Sequence, residues 1–257
     1  MNKKISHEIP LSLIEEHQDF ISDYMFALLH KAIEDKKYLN KVCEYRDAGG
    51  VVYLDNSCFE LGESLSNEVL FDYFEIIKPE ILILPDTLGN KENTVKRSTQ
   101  FLKQYPDTLH HAMAVIQGSS IEEMIECYIE HTKIDGLPWI GIPFVYSWAE
   151  KTPTIQATER IRLLERLEPY IDDSINHHLL GTWQAREFAF YRDYDWIKSL
   201  DTSNPVMAAL DGTKYGVFGI LSKPKSTFDT TYHKKESEID MKLLYYNVKL
   251  FRRIVNG

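Results

Sequence analysis

A closed (β/α)8 TIM barrel in one domain, spanning residues 1–257 and ending in a C-terminal helix, is the fold class that three observations predict. Short β-branched or apolar runs alternate with segments of helical periodicity along most of the chain, the pattern of a parallel α/β protein. Each connection is long enough for a right-handed crossover. At 257 residues, seven or eight such units suit a closed barrel better than an open doubly wound sheet.

The first strand falls within Asp23 to His30 (DYMFALLH), and Lys31 to Arg46 reads as helix before Gly49-Gly50 turns into Val51-Val52-Tyr53-Leu54. Ser66 is placed to cap a helix over Glu68 to Lys78, in which Val69, Leu70, Tyr73, Phe74 and Ile77 recur at helical spacing and which Pro79 stops. Ile81 to Leu84 is the next strand, Asn93 to Tyr105 the next helix, and Ala112 to Ile116 the strand after it. Ser120 caps Ile121 to Thr132, and Trp139 to Ile142 forms a fifth strand after a Gly136 and Pro138 turn. A helix over Thr154 to Tyr170, a strand at His178 to Gly181, a short helix at Gln184 to Tyr191 and a strand at Ile197 to Leu200 continue the alternation. The eighth strand has no clear position. A last helix covers Ile239 to Ile254.

Composition narrows the setting. The chain is 44% hydrophobic and 26% charged, ordinary for a globular protein with a substantial core. Cys43, Cys58 and Cys127 are too few and too scattered for a disulfide framework, which favours a reducing compartment. The start, MNKKISHEIPLSL, has neither a long apolar core nor a small-residue cleavage site, and no run approaches the ~20 apolar residues that span a bilayer. A cytoplasmic protein without membrane contact is expected. A net charge of −10 argues mildly against nonspecific nucleic-acid binding, although it does not exclude a local basic patch.

The strand ends carry the chemistry. Asp55, Asp86 and Asp201 each follow an apolar run, as does Gln117-Gly118, and Gly141 and Gly181 lie within two further runs. A lone Asp at such a place commonly caps a helix or makes an Asx turn. A barrel brings all these ends to one face, where barrel enzymes keep their active sites. No GxGxxG follows the first strand and no GxxxxGK[ST] occurs, so dinucleotide and P-loop sites have no support.

In order and spacing, these pieces resemble the tRNA-guanine transglycosylase family, whose TIM-barrel enzymes replace a guanine in a nucleic acid with a 7-deazaguanine. Asp55-Asn56-Ser57-Cys58-Phe59-Glu60 is similar to the family's D-S-G-G-[FY]-Q segment, and Ile116-Gln117-Gly118-Ser119 to its V-Q-G-G strand end. Ile140-Gly141-Ile142 looks like its G-G-L loop, and His177-His178-Leu179-Leu180-Gly181 like its H-Y-L-M-G strand. The resemblance implies Asp201 as nucleophile and Asp55 as the acid that handles protons on the leaving and entering bases. It places Asp86 on the N1–H and N2–H donors of guanine, Gln117 and the Gly118 amide near O6, and Gly141, Ile142 and Gly181 in the base pocket. Phe59 and Leu180 would sandwich the flipped base.

Departures from the family pattern matter too. No Cys follows Cys127, so the family's C-x-C-x2-C zinc cluster is missing and no metal or other cofactor is expected. The pairs His110-His111 and His177-His178, assigned to strands, would alternate between faces and make a poor metal site. The missing zinc subdomain places DNA ahead of tRNA as the polymer, as in compact phage and bacterial relatives. Glu60 stands where the family has Gln, and Tyr146 where queuine-type members have Glu, which leaves the entering base open. The oligomeric state is also open, a homodimer being one option.

The residue types admit other chemistry. Exchanging a base at a ribose carbon needs a carboxylate to form a glycosyl-enzyme, as retaining glycosidases do. A barrel nucleosidase or glycosidase would use the same two acids and pass the sugar to water. A non-catalytic nucleic-acid-binding relative is the third option, against which retention of both acids counts. The segment Ser222 to Glu238, with Lys223, Lys225, Lys234 and Lys235, has few aliphatic residues and reads as a mobile arm that would supply phosphate contacts.

Overall fold

The structure, a computed structural model, describes residues 2–144, 148–149 and 152–257. Tyr146 lies outside the described residues. Eight parallel strands form one sheet: β1 (Lys4–Ser6), β2 (Met25–Leu28), β3 (Val52–Asp55), β4 (Ile81–Ile83), β5 (Ala112–Val115), β6 (Trp139–Ile142), β7 (Asn176–Leu179) and β8 (Ile197–Asp201). Their order, β1-β8-β7-β6-β5-β4-β3-β2, runs once round a nearly closed barrel, with helices alternating between the strands. The (β/α)8 fold and the C-terminal helix, Met241–Asn256, are therefore present.

The strand without a position in the sequence is β1, only three residues long (KIS). It pairs with β8, Ser6 opposite Asp201. On its other side the seam to β2 is bridged largely by side chains. Ser6 Oγ donates to Tyr24 O (2.8 Å) and accepts from Phe26 N (3.2 Å), while Asp23 Oδ2 accepts from Ile5 N (2.8 Å). A hydroxyl and a carboxylate thus satisfy backbone groups that a full ladder would have paired.

Alternation divides the strand residues into two cores. Outward-facing Ala27, Leu54, Leu82, Ala114, Ile140 and Leu200 pack beneath the helices. Each large aliphatic buried there contributes ~1.5–3 kcal/mol. Inward-facing Phe26, Tyr53, Ile81, Ile83, Met113 and Val115 fill the barrel. One layer of registered positions, Val115, Gly141, His178 and Ser199, lies toward the C-terminal end of the strands.

Local differences from the sequence reading have physical causes. The segment expected as one helix from Lys31 breaks into Leu29–Glu34 and Lys36–Asp47, because extended Asp35 caps the second piece by accepting from Lys37 N (2.8 Å). Ser66 and Ser120 cap their helices as expected, accepting from Val69 N and Glu123 N. The strand expected at His178 to Gly181 starts two residues earlier and stops before Gly181, whose φ of 65° turns the chain. His110 and His111 are not on a strand; they end a 3-10 helix, Pro106–His111.

Ser222 to Glu238 is not a free arm. Phe228–Thr231 forms a helical turn, Ser226 N donates to Asp211 Oδ1 (3.0 Å), and Tyr232, buried, donates its hydroxyl to Asp35 Oδ2 (2.9 Å). Two aromatic rings, Phe228 and Tyr232, supply the apolar contact that its missing aliphatic residues do not. The segment lies over the barrel's C-terminal face.

Candidate functional site

The C-terminal strand ends surround a cavity of about 490 Å³, covered partly by Lys223, Pro224 and Ser226 to Asp229. Asp55, Asp86, Gln117, Leu180, Gly181, Asp201 and Phe59 all line it. Gly118, Gly141 and Ile142 do not. A Cβ on Gly118 would come within 2.8 Å of Glu123 Cβ and Met124 N, so this glycine serves the close approach of the following helix. Gly141 makes room for Leu180, whose Cδ1 would be 2.9 Å from an added Cβ, and Ile142 points outward into the helix-facing core.

Asp86, at the exit of β4, is buried in a cage of donors. Its Oδ1 accepts from Asn56 Nδ2 (2.9 Å) and its Oδ2 from Gln117 Nε2 (2.7 Å). Gly89 N donates to Gln117 Oε1 (3.0 Å), and this fixes which end of the amide faces Asp86. Asn56 is fixed likewise, its Oδ1 accepting from Cys58 N and its Nδ2 also donating to Leu84 O. Burial raises the Asp86 carboxyl above its ordinary pKa, opposed by the Gln117 and Asn56 bonds. Gln117 Nε2 and Oε1 each have one such partner, which leaves a second N–H and a second lone pair of the amide for a base.

Asp201, at the end of β8, is also held by donors. Oδ1 accepts from Gly181 N (2.9 Å) and pairs with His178 Nε2 (3.0 Å). An ionised Asp201 can only accept, so Nε2 carries a proton, while Nδ1 meets Ser199 Oγ (2.8 Å). The His178 ring is fully buried and lies parallel to Phe26, 5.9 Å away. Oδ2 of Asp201 has no hydrogen-bond partner among the described residues. The loop that provides the Gly181 amide is clamped by Arg160, which donates to Gly181 O (2.5 Å) and to both oxygens of Glu187 (2.6 and 3.2 Å). Arg160 and Glu187 are wholly buried, a pair whose partners depend on each other.

Asp55 stands differently. Its Oδ2 accepts from Ser57 N (2.7 Å), an Asx turn followed by Ser57 in the left-handed region at φ 59°. Ser57 Oγ meets both the backbone N–H of His30 (3.1 Å) and its Nδ1 (2.9 Å), which places His30 in the cavity wall. The Asp55 carboxyl is pushed well above the usual range, first by burial and next by Glu60, with Asp86 and Asp201 adding less; together these outweigh the lowering by the Ser57 bond. Glu60 is solvent-accessible as a residue, yet the protein mass round the mouth and the charges of Asp201 and Asp229 push its carboxyl up to about 7. Glu8, two residues beyond β1, is raised well above its ordinary value by burial and then by Asp201 and Glu60.

The sequence reading missed Glu8, His30, His178, Trp183 and Asp229. His178 alone had a usable signal, since alternation from His177 places one of the two rings inside the barrel. His177 faces outward, bonded to Tyr128 OH (3.0 Å). Of the four lysines, Lys223 lines the cavity, whereas Lys234 Nζ donates to Leu210 O (3.3 Å) at a helix end; Lys225 and Lys235 are exposed and outside the lining. Away from the cavity, donor atoms of Glu16, His17 and Glu236 lie within 4.8 Å of one another.

No helix among the described residues is long and apolar enough to cross a membrane. No protein-family model and no curated protein matches the chain.

Proposed function

We propose that this barrel is a nucleic-acid guanine transglycosylase, a pentosyltransferase that exchanges guanine in DNA or tRNA for a 7-deazaguanine through a glycosyl-aspartate. The observation that carries this reading is the division of labour between two acids in one cavity: Asp201 is held through one oxygen, and the Asp55 carboxyl is raised well above its ordinary value by burial and neighbouring charge. Asp201 Oδ2 attacks the anomeric carbon as the bond to guanine N9 breaks, and the Asp55 proton neutralises the leaving base. The incoming base returns that proton to Asp55 and displaces Asp201. Asp86 accepts from the N–H groups of the base through the lone pairs that Asn56 and Gln117 leave open, since each carboxylate oxygen takes more than one donor.

A second reading, hydrolysis of an N-glycosidic bond, is favoured by Glu8. This third carboxyl lines the same cavity as Asp201 and, once ionised, would activate water. Incorporation of radiolabelled guanine into double-stranded DNA and tRNA, measured in parallel, separates the two. Exchange puts label into polymer, whereas hydrolysis releases base and incorporates none. Absence of label in both polymers removes the transglycosylase reading.

A further inference from the structure

Six acids line the cavity, namely Glu8, Asp55, Glu60, Asp86, Asp201 and Asp229, while Lys223 is the only Lys or Arg among the described lining residues. A phosphodiester reaching this mouth meets cationic attraction at one point among the described lining residues. Lys223 forms no ion pair with any described carboxylate, although Asp229 belongs to the same segment. Its ammonium sits instead 4.0 Å from the centroid of the Trp183 ring. Burial alone lowers its pKa, as for a cation held without a counter-ion.

Trp183 is itself firmly backed. Its ring stacks near-parallel on buried Phe144 (5.9 Å, 25°), and the Arg160 guanidinium lies over Phe144 (4.8 Å). Arg160 is locked by Glu187 and Gly181 O, so this stack is built on the same clamp that presents the Gly181 amide to Asp201. Trp183 remains half-buried at the cavity wall. Lys223 is carried by an exposed side chain with four rotatable bonds, able to leave the ring without disturbing the backing. A ligand that bears an aromatic face and an adjacent negative charge satisfies both groups together.

We propose that Trp183 and Lys223 form a second subsite for the nucleotide adjoining the exchanged guanosine, its base stacked on Trp183 and its phosphate on the Lys223 ammonium. The inference rests on the nucleic-acid reading of the cavity and adds to it a requirement for an unstacked neighbour, because a ring seated on Trp183 has left its own duplex stack. Stacking of this kind is sequence-tolerant, since every base offers a π-face.

The test uses the full chain and trideoxynucleotides with guanine at the centre, either intact or with one flanking base replaced by an abasic site. Removing the base from the correct flank is expected to weaken wild-type binding ~10-fold, the scale of one base on one aromatic ring. Trp183→Leu should bind intact and abasic forms equally, and Trp183→Tyr should restore the difference. Lys223→Gln should reduce the salt slope by about one. Equal wild-type affinity for intact and abasic forms at both flanks overturns the subsite, as does persistence of the difference in Trp183→Leu. If label still enters polymer in that case, the exchange reading stands without the subsite. If no trinucleotide binds and no label is incorporated, both fall.

Discussion

The carboxylates of the barrel mouth are built in two opposite ways. At the ends of β4 and β8, Asp86 and Asp201 receive well-aligned donors: Asn56 and Gln117 for one, His178 and the Gly181 amide for the other. At the ends of β1 and β3, Glu8, Asp55 and Glu60 are all raised by burial and by the charge of Asp201, Glu60 adding to Glu8 and Asp55, with the Ser57 amide bonding Asp55. Donor-held acids keep fixed geometry and suit recognition or attack. Crowded acids are biased toward the protonated form and suit acid-base work. One cavity therefore contains both kinds of group.

The largest effect is expected from Asp201→Asn. The amide keeps the acceptor for Gly181 N–H but is a poor nucleophile, so exchange should fall at least ~10³-fold while the far-UV spectrum and Tm stay near wild type. Full exchange activity in the folded variant would remove Asp201 from the mechanism. Arg160→Met, on the donor-held side, should cost ~3–5 kcal/mol in urea unfolding, because Glu187 is left as an unpaired buried charge. A loss below ~1 kcal/mol would mean that solvent reaches the pair.

Next in size is Asp86→Ala. It strands the amide groups of Asn56 and Gln117 in a buried cage, at ~2–3 kcal/mol of stability, and should weaken guanine binding measured by calorimetry. Unchanged guanine affinity would assign the cage a structural role. On the crowded side, Glu60→Gln tests the proton economy. A carboxyl raised in the folded state favours folding most at low pH, and this contribution is lost as pH rises from about 4.5 through about 7. The Tm of Glu60→Gln should therefore decline less than wild type between pH 5 and pH 8. The same substitution removes a charge that raises Asp55, so the alkaline fall in exchange rate should move to lower pH. A profile that shifts upward would contradict the repulsive coupling.

Asp55→Asn gives the smallest effect on structure and the most direct view of the intermediate. Proton transfer should slow while attack by Asp201 persists, so a covalent adduct with polymer should accumulate on denaturing gels. No adduct with wild type or this variant would withdraw support from the glycosyl-aspartate.

What the sequence determined by itself is the alternation and the strand ends. Runs such as Val52–Asp55 and Ala112–Val115 carry their own periodicity and stop signals, and closing a parallel sheet brings Asp55, Asp86, Gln117 and Asp201 to one face. Local chemistry also located the Ser66 and Ser120 caps, since a cap needs only neighbouring amides. Only the tertiary structure decided the rest. Three residues of β1 lack any pattern that periodicity can detect; they become a strand because β8 and the Ser6 hydroxyl satisfy their backbone. Glu8 follows from that placement. Ser222 to Glu238 docks because Phe228 and Tyr232 meet an apolar surface assembled from distant segments, which composition counted along the chain cannot register. The partnership of His178 with Asp201 spans 23 residues and depends on the register of β7 against β8, a long-range quantity fixed by the closure of the sheet.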